Sequence, residues 1–286
     1  MLTLTLILAA LIGLLLGLLG GGGSILTIPV LTWVAGFSPA EAITASLVVV
    51  GTTSAVSTVA HARAGRVAWR AGLLVGATGV VGAFGGGLLA RLIPGSVLML
   101  LFAVLMLVAA AAMIRGRRSE ADTAAGGSRS PAWLLAGIGL GVGVLTGLIG
   151  AGGGFLIVPA LALFAGLAMP QAVGTSLLVI TVNSAAGLAG HLTSSTSLDW
   201  PLVAAVTVVA IVGSLAGARL VAHIPAAALR RWFGVFVLVM GVLVLAQNLP
   251  GTAGPLVVGL AAVLALGAVV CWFAVPRCPV RRTLTT

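Results

Sequence analysis

Charge is what this sequence has least of. Of its 286 residues, 6% are Asp, Glu, Lys or Arg, while 60% are hydrophobic. A soluble domain carries about 25% charged residues, so this composition excludes an ordinary water-facing surface. Lysine is missing altogether, and all 14 cations are arginine. They stand between apolar stretches, so the net charge of +10 reads as a set of topology signals and not as a nucleic-acid surface. Cysteine is confined to Cys271 and Cys278. With no CxxC and no Cys/His cluster, neither a disulfide framework nor a metal site is expected. Paired carboxylates and a nucleophile–base pattern are also lacking, so no enzyme and no cofactor is expected. The N-terminal segment has neither a basic n-region nor an A-x-A-like cleavage site. It reads as part of the fold.

What is present is apolar sequence in long runs. A membrane helix needs about 20 mainly apolar residues, and runs of that length fill nearly the whole chain. Transmembrane β-strands would alternate apolar and polar residues, and no such alternation occurs. The expected fold class is therefore all-α and polytopic, with the lipid bilayer as a partner.

The chain matches itself at an offset of 130. Gly17-Leu-Leu-Gly-Gly-Gly-Gly-Ser-Ile-Leu-Thr-Ile-Pro29 aligns with Gly147-Leu-Ile-Gly-Ala-Gly-Gly-Gly-Phe-Leu-Ile-Val-Pro159. The register continues through Ser46/Ser176, Ser54/Ser184 and His61/His191, then shifts by one residue to pair Trp69 with Trp200 and Pro94 with Pro225. A register kept this long predicts two homologous repeats. The first repeat covers 1–114 and the second 131–247, joined by a polar linker over 115–130. Residues 248–286 hold an extra helix, about 255–275, and a basic tail. Each repeat opens with a glycine-broken segment, about 2–35 and 132–166. Three helices follow each: about 39–60, 70–92 and 95–114, then about 170–190, 200–222 and 226–247. The breaks are expected at Gly20–Gly23 and Gly150–Gly154, because consecutive glycines lower helix stability by roughly 1 kcal/mol each.

Arginine placement argues for inverted halves. If each broken segment crosses the membrane once, the arginines divide seven against seven between the two sides. If each enters and returns as a helical hairpin, thirteen fall on one side and Arg91 alone on the other. The second arrangement gives the positive-inside bias. It places the 61–70 and 219–231 regions in the cytoplasm and residues 191–199 outside.

Glycine breaks inside a membrane segment free backbone N–H groups, which must face protein or a wet cavity. Helix N-termini there attract anions. Gly20, Gly21, Gly22, Gly23 and Ser24, together with Gly150, Gly152, Gly153 and Gly154, are therefore candidate substrate-binding residues, the two breaks approaching from opposite halves. The alternative for such glycines is close helix packing, the reading for Gly13/Gly17, Gly72/Gly76 and Gly139/Gly143. Polar stripes on the second helix of each repeat supply Ser46, Ser54, Thr175, Ser176, Asn183 and Ser184 as further candidates. Interhelical hydrogen bonding is their competing role. Ser38-Pro39-Ala40-Glu41 reads as an N-cap with Glu41 closing a capping box. His61 and His191 stand at matching helix ends, as interfacial caps or solvated residues, with pH sensing as the other reading. Apart from Glu41, no Asp, Glu, Lys or Arg lies clearly within a helix interior. Any coupling is thus expected to come from the substrate's own charge or protonation.

At these residues the chain resembles the TauE/SafE sulfite exporter family, also called the toluene-sulfonate uptake permeases. The resemblance rests on Gly20 to Pro29, on Gly150 to Pro159, and on Ala172-Val-Gly-Thr-Ser-Leu177 followed by His191 and Leu198-Asp-Trp200. In the first half Ala42-Ile-Thr-Ala-Ser-Leu47 lacks the Gly-Thr of that motif. The resemblance implies a permease of the bacterial inner membrane that moves a small sulfur-containing or organic anion. An anion channel stays open as the alternative, as does self-association.

Overall fold

The computed structural model describes residues 2–90, 92, 95–115, 131–149, 154–191 and 198–248. Among the described residues there are helices and no strands. They are α1 (Leu2–Leu19), α2 (Gly22–Trp33), α3 (Pro39–Arg63), α4 (Trp69–Ala90), α5 (Gly95–Arg115), α6 (Ala132–Ile149), α7 (Gly154–Leu163), α8 (Met169–His191), α9 (Trp200–Leu220) and α10 (Ala226–Asn248). A single 3-10 turn, Val221–His223, links the last two. The expected extra helix near 255–275 and nearly all of the linker lie outside the described residues.

Local sequence sets several of these boundaries. Ser38 and Glu41 form the capping box at the start of α3: Ser38 N donates to Glu41 Oε2 at 2.9 Å and Glu41 N to Ser38 Oγ at 3.4 Å. Asp199 caps α9, accepting from Leu202 N at 3.2 Å. The end of α3 is marked by Gly65, whose φ of +69° suits a residue without a side chain.

Glycine decides which helices lie side by side. A Cβ added to Gly13 would strike the Ala210 carbonyl, and one on Gly17 the Ser214 carbonyl. Gly213 and Gly217 meet the Ala10 and Leu14 carbonyls in return. Residue numbers rise together along this contact, so α1 and α9 run parallel with backbones touching. The same geometry joins α4 to α6, where Gly143 meets Gly79, Gly139 meets Val75, and Gly86 meets Val144. These small-residue faces allow close van der Waals approach where the hydrophobic effect offers no drive.

Two other pairs run antiparallel. Along α3 and α8, His61 lies beside Gly174, Gly51 beside Ser184, and Leu47 beside Gly187. Along α5 and α10, Met113 lies beside Gly234 and Met106 beside Gly241. The buried side chains of α5 and α10, Met106, Ala110, Met113, Phe233 and Val237, are at most 1% exposed.

The outside of the bundle is apolar. Ile7, Phe84, Val108 and Val212 are each more than 60% exposed. Trp33 and Trp200 stand exposed at one end of the bundle, and Trp69, Trp133 and Trp232 at or near the other. Tryptophan collects at membrane–water interfaces, so the two groups bracket a lipid-facing band. Four described helical segments are long and apolar enough to cross a membrane: Leu2–Leu19, Glu41–Arg63, Met169–Ala189 and Trp200–His223. The chain is a multi-pass membrane protein.

Candidate functional site

The first glycine run breaks its helix as its composition requires. α1 closes with Gly20 N donating to Leu16 O at 2.8 Å. Gly20 then adopts φ +72°, a left-handed conformation that favours glycine. Gly21 is the N-cap residue, but it offers no side chain. Ser24 does not replace it: its Oγ donates to Gly21 O at 2.7 Å and so gives the first-turn N–H groups no acceptor. The first-turn N–H groups of Gly22 and Gly23 have no intrahelical acceptor.

After the break α2 doubles back. A Cβ on Gly23 would strike the Ile12 carbonyl and reach Leu16. Further along, Thr27, Val30 and Leu31 share a small apolar void with Ala9 and Ile12. Rising numbers on α2 meet falling numbers on α1, so the two form an antiparallel helical hairpin. Its tip is roofed by the other half of the chain. Ser176 Oγ of α8 donates to both Gly20 O and Val173 O. Gly20 sits so close to Val173 that a Cβ would lie 2.7 Å from its Cα. The ring of Phe236, on α10, covers the first turn of α2, 2.8 Å from a Cβ placed on Gly22.

The second broken segment arrives at the same place. Gly154, the first residue of α7, faces Ser24: a Cβ there would lie 3.0 Å from Ser24 Oγ and 2.8 Å from Ile180 Cδ1. The N-terminal turns of α2 and α7 therefore meet beside the middle of α8. Ser24 and Gly154 are also counterparts at the offset of 130. Gly150, Gly152 and Gly153 lie outside the described residues.

The polar stripes are split by the structure. Thr175 Oγ1 accepts from Ala68 N at 3.0 Å, holding the chain just ahead of α4. Ser46 Oγ donates back to Ile43 O at 2.8 Å. Ser184 packs where α3 and α8 cross, opposite Gly51. Other groups are left over. Thr53 Oγ1, Ser54 Oγ, Ser57 Oγ and Asn183 Oδ1 are buried with no hydrogen-bond partner. Asn183 faces α4 near Gly79, one helical turn from Ile180 and therefore from the meeting point of α2 and α7. Unpaired polar atoms in an apolar bundle are costly, which makes these four candidates for a hydrogen bond that the protein itself does not supply.

One residue differs from its sequence reading. His61 is not a solvated helix end but is fully buried. Its Nε2 lies 3.1 Å from Gly17 O, near the C-terminal end of α1, and its Nδ1 has no partner. The neighbouring Arg66 extends Nη1 to Ala218 O at 3.1 Å, near the end of α9. Among the described residues, no group of three or more His, Cys, Asp or Glu could hold a metal ion.

The sequence has clear relatives. A "Probable membrane transporter protein" of Xylella fastidiosa (strain 9a5c) is 35% identical over 248 residues, covering 82% of this chain and 91% of the relative. "Probable membrane transporter protein YdhB" of Bacillus subtilis (strain 168) is 28% identical over 225 residues, covering 77% and 90%. No solved structure matches the chain. The family model described as "Sulfite exporter TauE/SafE" matches residues 5–244. With that match over most of its length, a polytopic helical bundle and relatives named as probable membrane transporters, the chain belongs to the TauE/SafE family of membrane transporters.

Proposed function

We propose that this protein is a secondary transporter for a small anion, a sulfur oxyanion or an organic sulfonate, in a bacterial inner membrane. The observation that carries this reading is the meeting of two glycine-started helices at Ser24 and Gly154. Each brings N–H groups that the helix itself cannot satisfy, and each N-terminus carries partial positive charge. An oxyanion can be held there by backbone donors, with no buried Arg or Lys. Asn183, Ser54 and Thr53 line the adjoining helices with neutral polar groups. The candidate binding set is thus Gly20 to Ser24 and Gly154, with the repeat-related Gly150, Gly152 and Gly153, and with Ser46, Ser54, Thr175, Ser176, Asn183 and Ser184.

The helix directions support inverted halves, 1–114 and 131–247. Counterpart helices α3 and α8 run antiparallel, as do α5 and α10, while α1 and α9 run parallel. A two-fold axis in the membrane plane produces that pattern. A transporter built this way exposes a midplane site to each side in turn by rocking one half against the other.

The test is counterflow in proteoliposomes, with sulfite, methanesulfonate and acetate as probes. Saturable counterflow of sulfite or methanesulfonate is the expected result. Unitary currents in a planar bilayer in place of saturable counterflow would make the protein an anion channel. No movement of either sulfur anion would remove the substrate assignment.

A further inference from the structure

We infer that His61 carries the proton that accompanies the transported anion, which makes transport proton-coupled and, for a monoanion, electrically silent. This rests on the anion-transport reading above. Three observations support it. His61 is fully buried between α3, α1 and α8. Its Nε2 is committed to Gly17 O at 3.1 Å, three residues before the break at Gly20. Its Nδ1 is buried and unpartnered.

The chemistry follows from that division of roles. With Nε2–H donating to Gly17 O, Nδ1 keeps a free lone pair and accepts nothing. A proton can add to Nδ1 without disturbing the bond that ties the ring to α1. The product is an imidazolium in an apolar bundle, and a lone buried charge there is unfavourable. Two partners offset it. The C-terminal end of α1 presents carbonyls and partial negative charge to the ring. An anion at the start of α2, just beyond the break, supplies a full counter-charge. Proton and anion therefore favour each other's binding, and by linkage the favour is reciprocal.

Other ionisable groups do not take over this part. α1 and α2 contain no Asp, Glu, Lys, Arg or His. On α8 the only ionisable residue is His191, at its far end. From the α3–α4 connection and α4 come Arg63, Arg66 and Arg70; from α9 and the turn after it come Arg219 and His223. All are bases. Glu41 stands at the opposite end of α3, closed in its capping box. Among the described residues no carboxylate competes to neutralise a protonated His61, so the anion does. Ser57 and Ser54, whose hydroxyls are buried and unpartnered, continue the face of His61 along α3 at helical spacing. They give the proton or its water a polar route toward the middle of the helix.

The experiment uses the full chain in proteoliposomes holding the pH dye pyranine, with methanesulfonate as the probe and valinomycin to set the potential. The expected result is lumen acidification on methanesulfonate entry and a rate that changes less than twofold between 0 and −120 mV. His61→Gln keeps a donor for Gly17 O but takes no proton at neutral pH. It should need a higher methanesulfonate concentration for half-maximal counterflow, because the reciprocal stabilisation of the anion is lost, and its remaining net uptake should no longer acidify the lumen and should become sensitive to potential. Net methanesulfonate uptake by the wild type without any pH change overturns the inference and leaves the anion reading standing. Acidification that survives His61→Gln also overturns it, since the proton then travels elsewhere. Absence of methanesulfonate and sulfite counterflow in the wild type overturns both. Should that variant fail to reach the membrane, His61→Asn, which also takes no proton at neutral pH, is measured in its place and judged by the same two outcomes.

Discussion

Gly22 and Gly23 are adjacent but meet different neighbours. A side chain on Gly22 would press on the ring of Phe236, which can swing, whereas one on Gly23 would strike the backbone of Ile12. Gly22→Val is therefore expected to enter the membrane at near wild-type yield and to lose transport more than tenfold, by filling the space where an anion meets the α2 N–H groups. Gly23→Val should instead lower the yield of folded protein. Detergent-solubilised yield and counterflow, measured on the same preparations, separate the two; full transport by Gly22→Val would reduce that glycine to a packing feature. Asn183→Asp puts a carboxylate beside the meeting point of α2 and α7 and should slow anion uptake at least tenfold at unchanged yield. Glu41→Gln should leave uptake and its dependence on pH unchanged, because Glu41 serves a cap; a changed pH profile would make it a coupling group. The cap was readable in the sequence because every part of it lies within four residues. His61 was not. Its partner Gly17 is 44 residues away, and its burial depends on α8, from the other half of the chain.

At the scale of elements, helix positions were legible to within a few residues. A helix expected over 39–60 is Pro39–Arg63, and one expected over 226–247 is Ala226–Asn248. Long apolar runs bounded by Pro, Gly and Arg suffice for that. The pairing of helices was not legible, because one glycine face looks much like another. The sequence marks Gly13 and Gly17 as a packing face but says nothing of Ala210 and Ser214 as what it packs on. Direction can be checked by crosslinking, after replacing Cys271 and Cys278 with serine. Gly51→Cys with Ser184→Cys should crosslink under mild oxidation, since the Cβ positions are 2.9 Å apart in the starting backbone. Gly51→Cys with Gly174→Cys should not, because Gly174 lies opposite His61, ten residues or about 15 Å along the helix. Efficient crosslinking of the second pair and not the first would overturn the antiparallel register of α3 and α8.

For the whole molecule, arginine marks one end. Arg63, Arg66 and Arg70 lie around the junction of α3 and α4, and Arg219 closes α9 beside them, with Arg66 reaching the α9 carbonyl of Ala218. That end is expected to face the cytoplasm. Gly65→Cys should then react with a membrane-impermeant maleimide only in inverted vesicles, and Ser195→Cys only in intact cells or right-side-out vesicles. Labelling of both from the same side would end the inverted arrangement.

The parallel contact of α1 with α9 has a consequence for biosynthesis. Gly13 of α1 waits for Ala210 of α9, nearly 200 residues later, which is about 10–40 s of translation at 5–20 residues per second. During that time the glycine groove of α1 has only lipid or the insertion machinery against it. The matching groove of α6 has no such delay, because α4 is already in the bilayer when α6 emerges. Nascent chains arrested before residue 200 should therefore hold α1 loosely and lose it to membrane proteases. Chains arrested well beyond residue 220, once α9 has cleared the ribosome, should keep it.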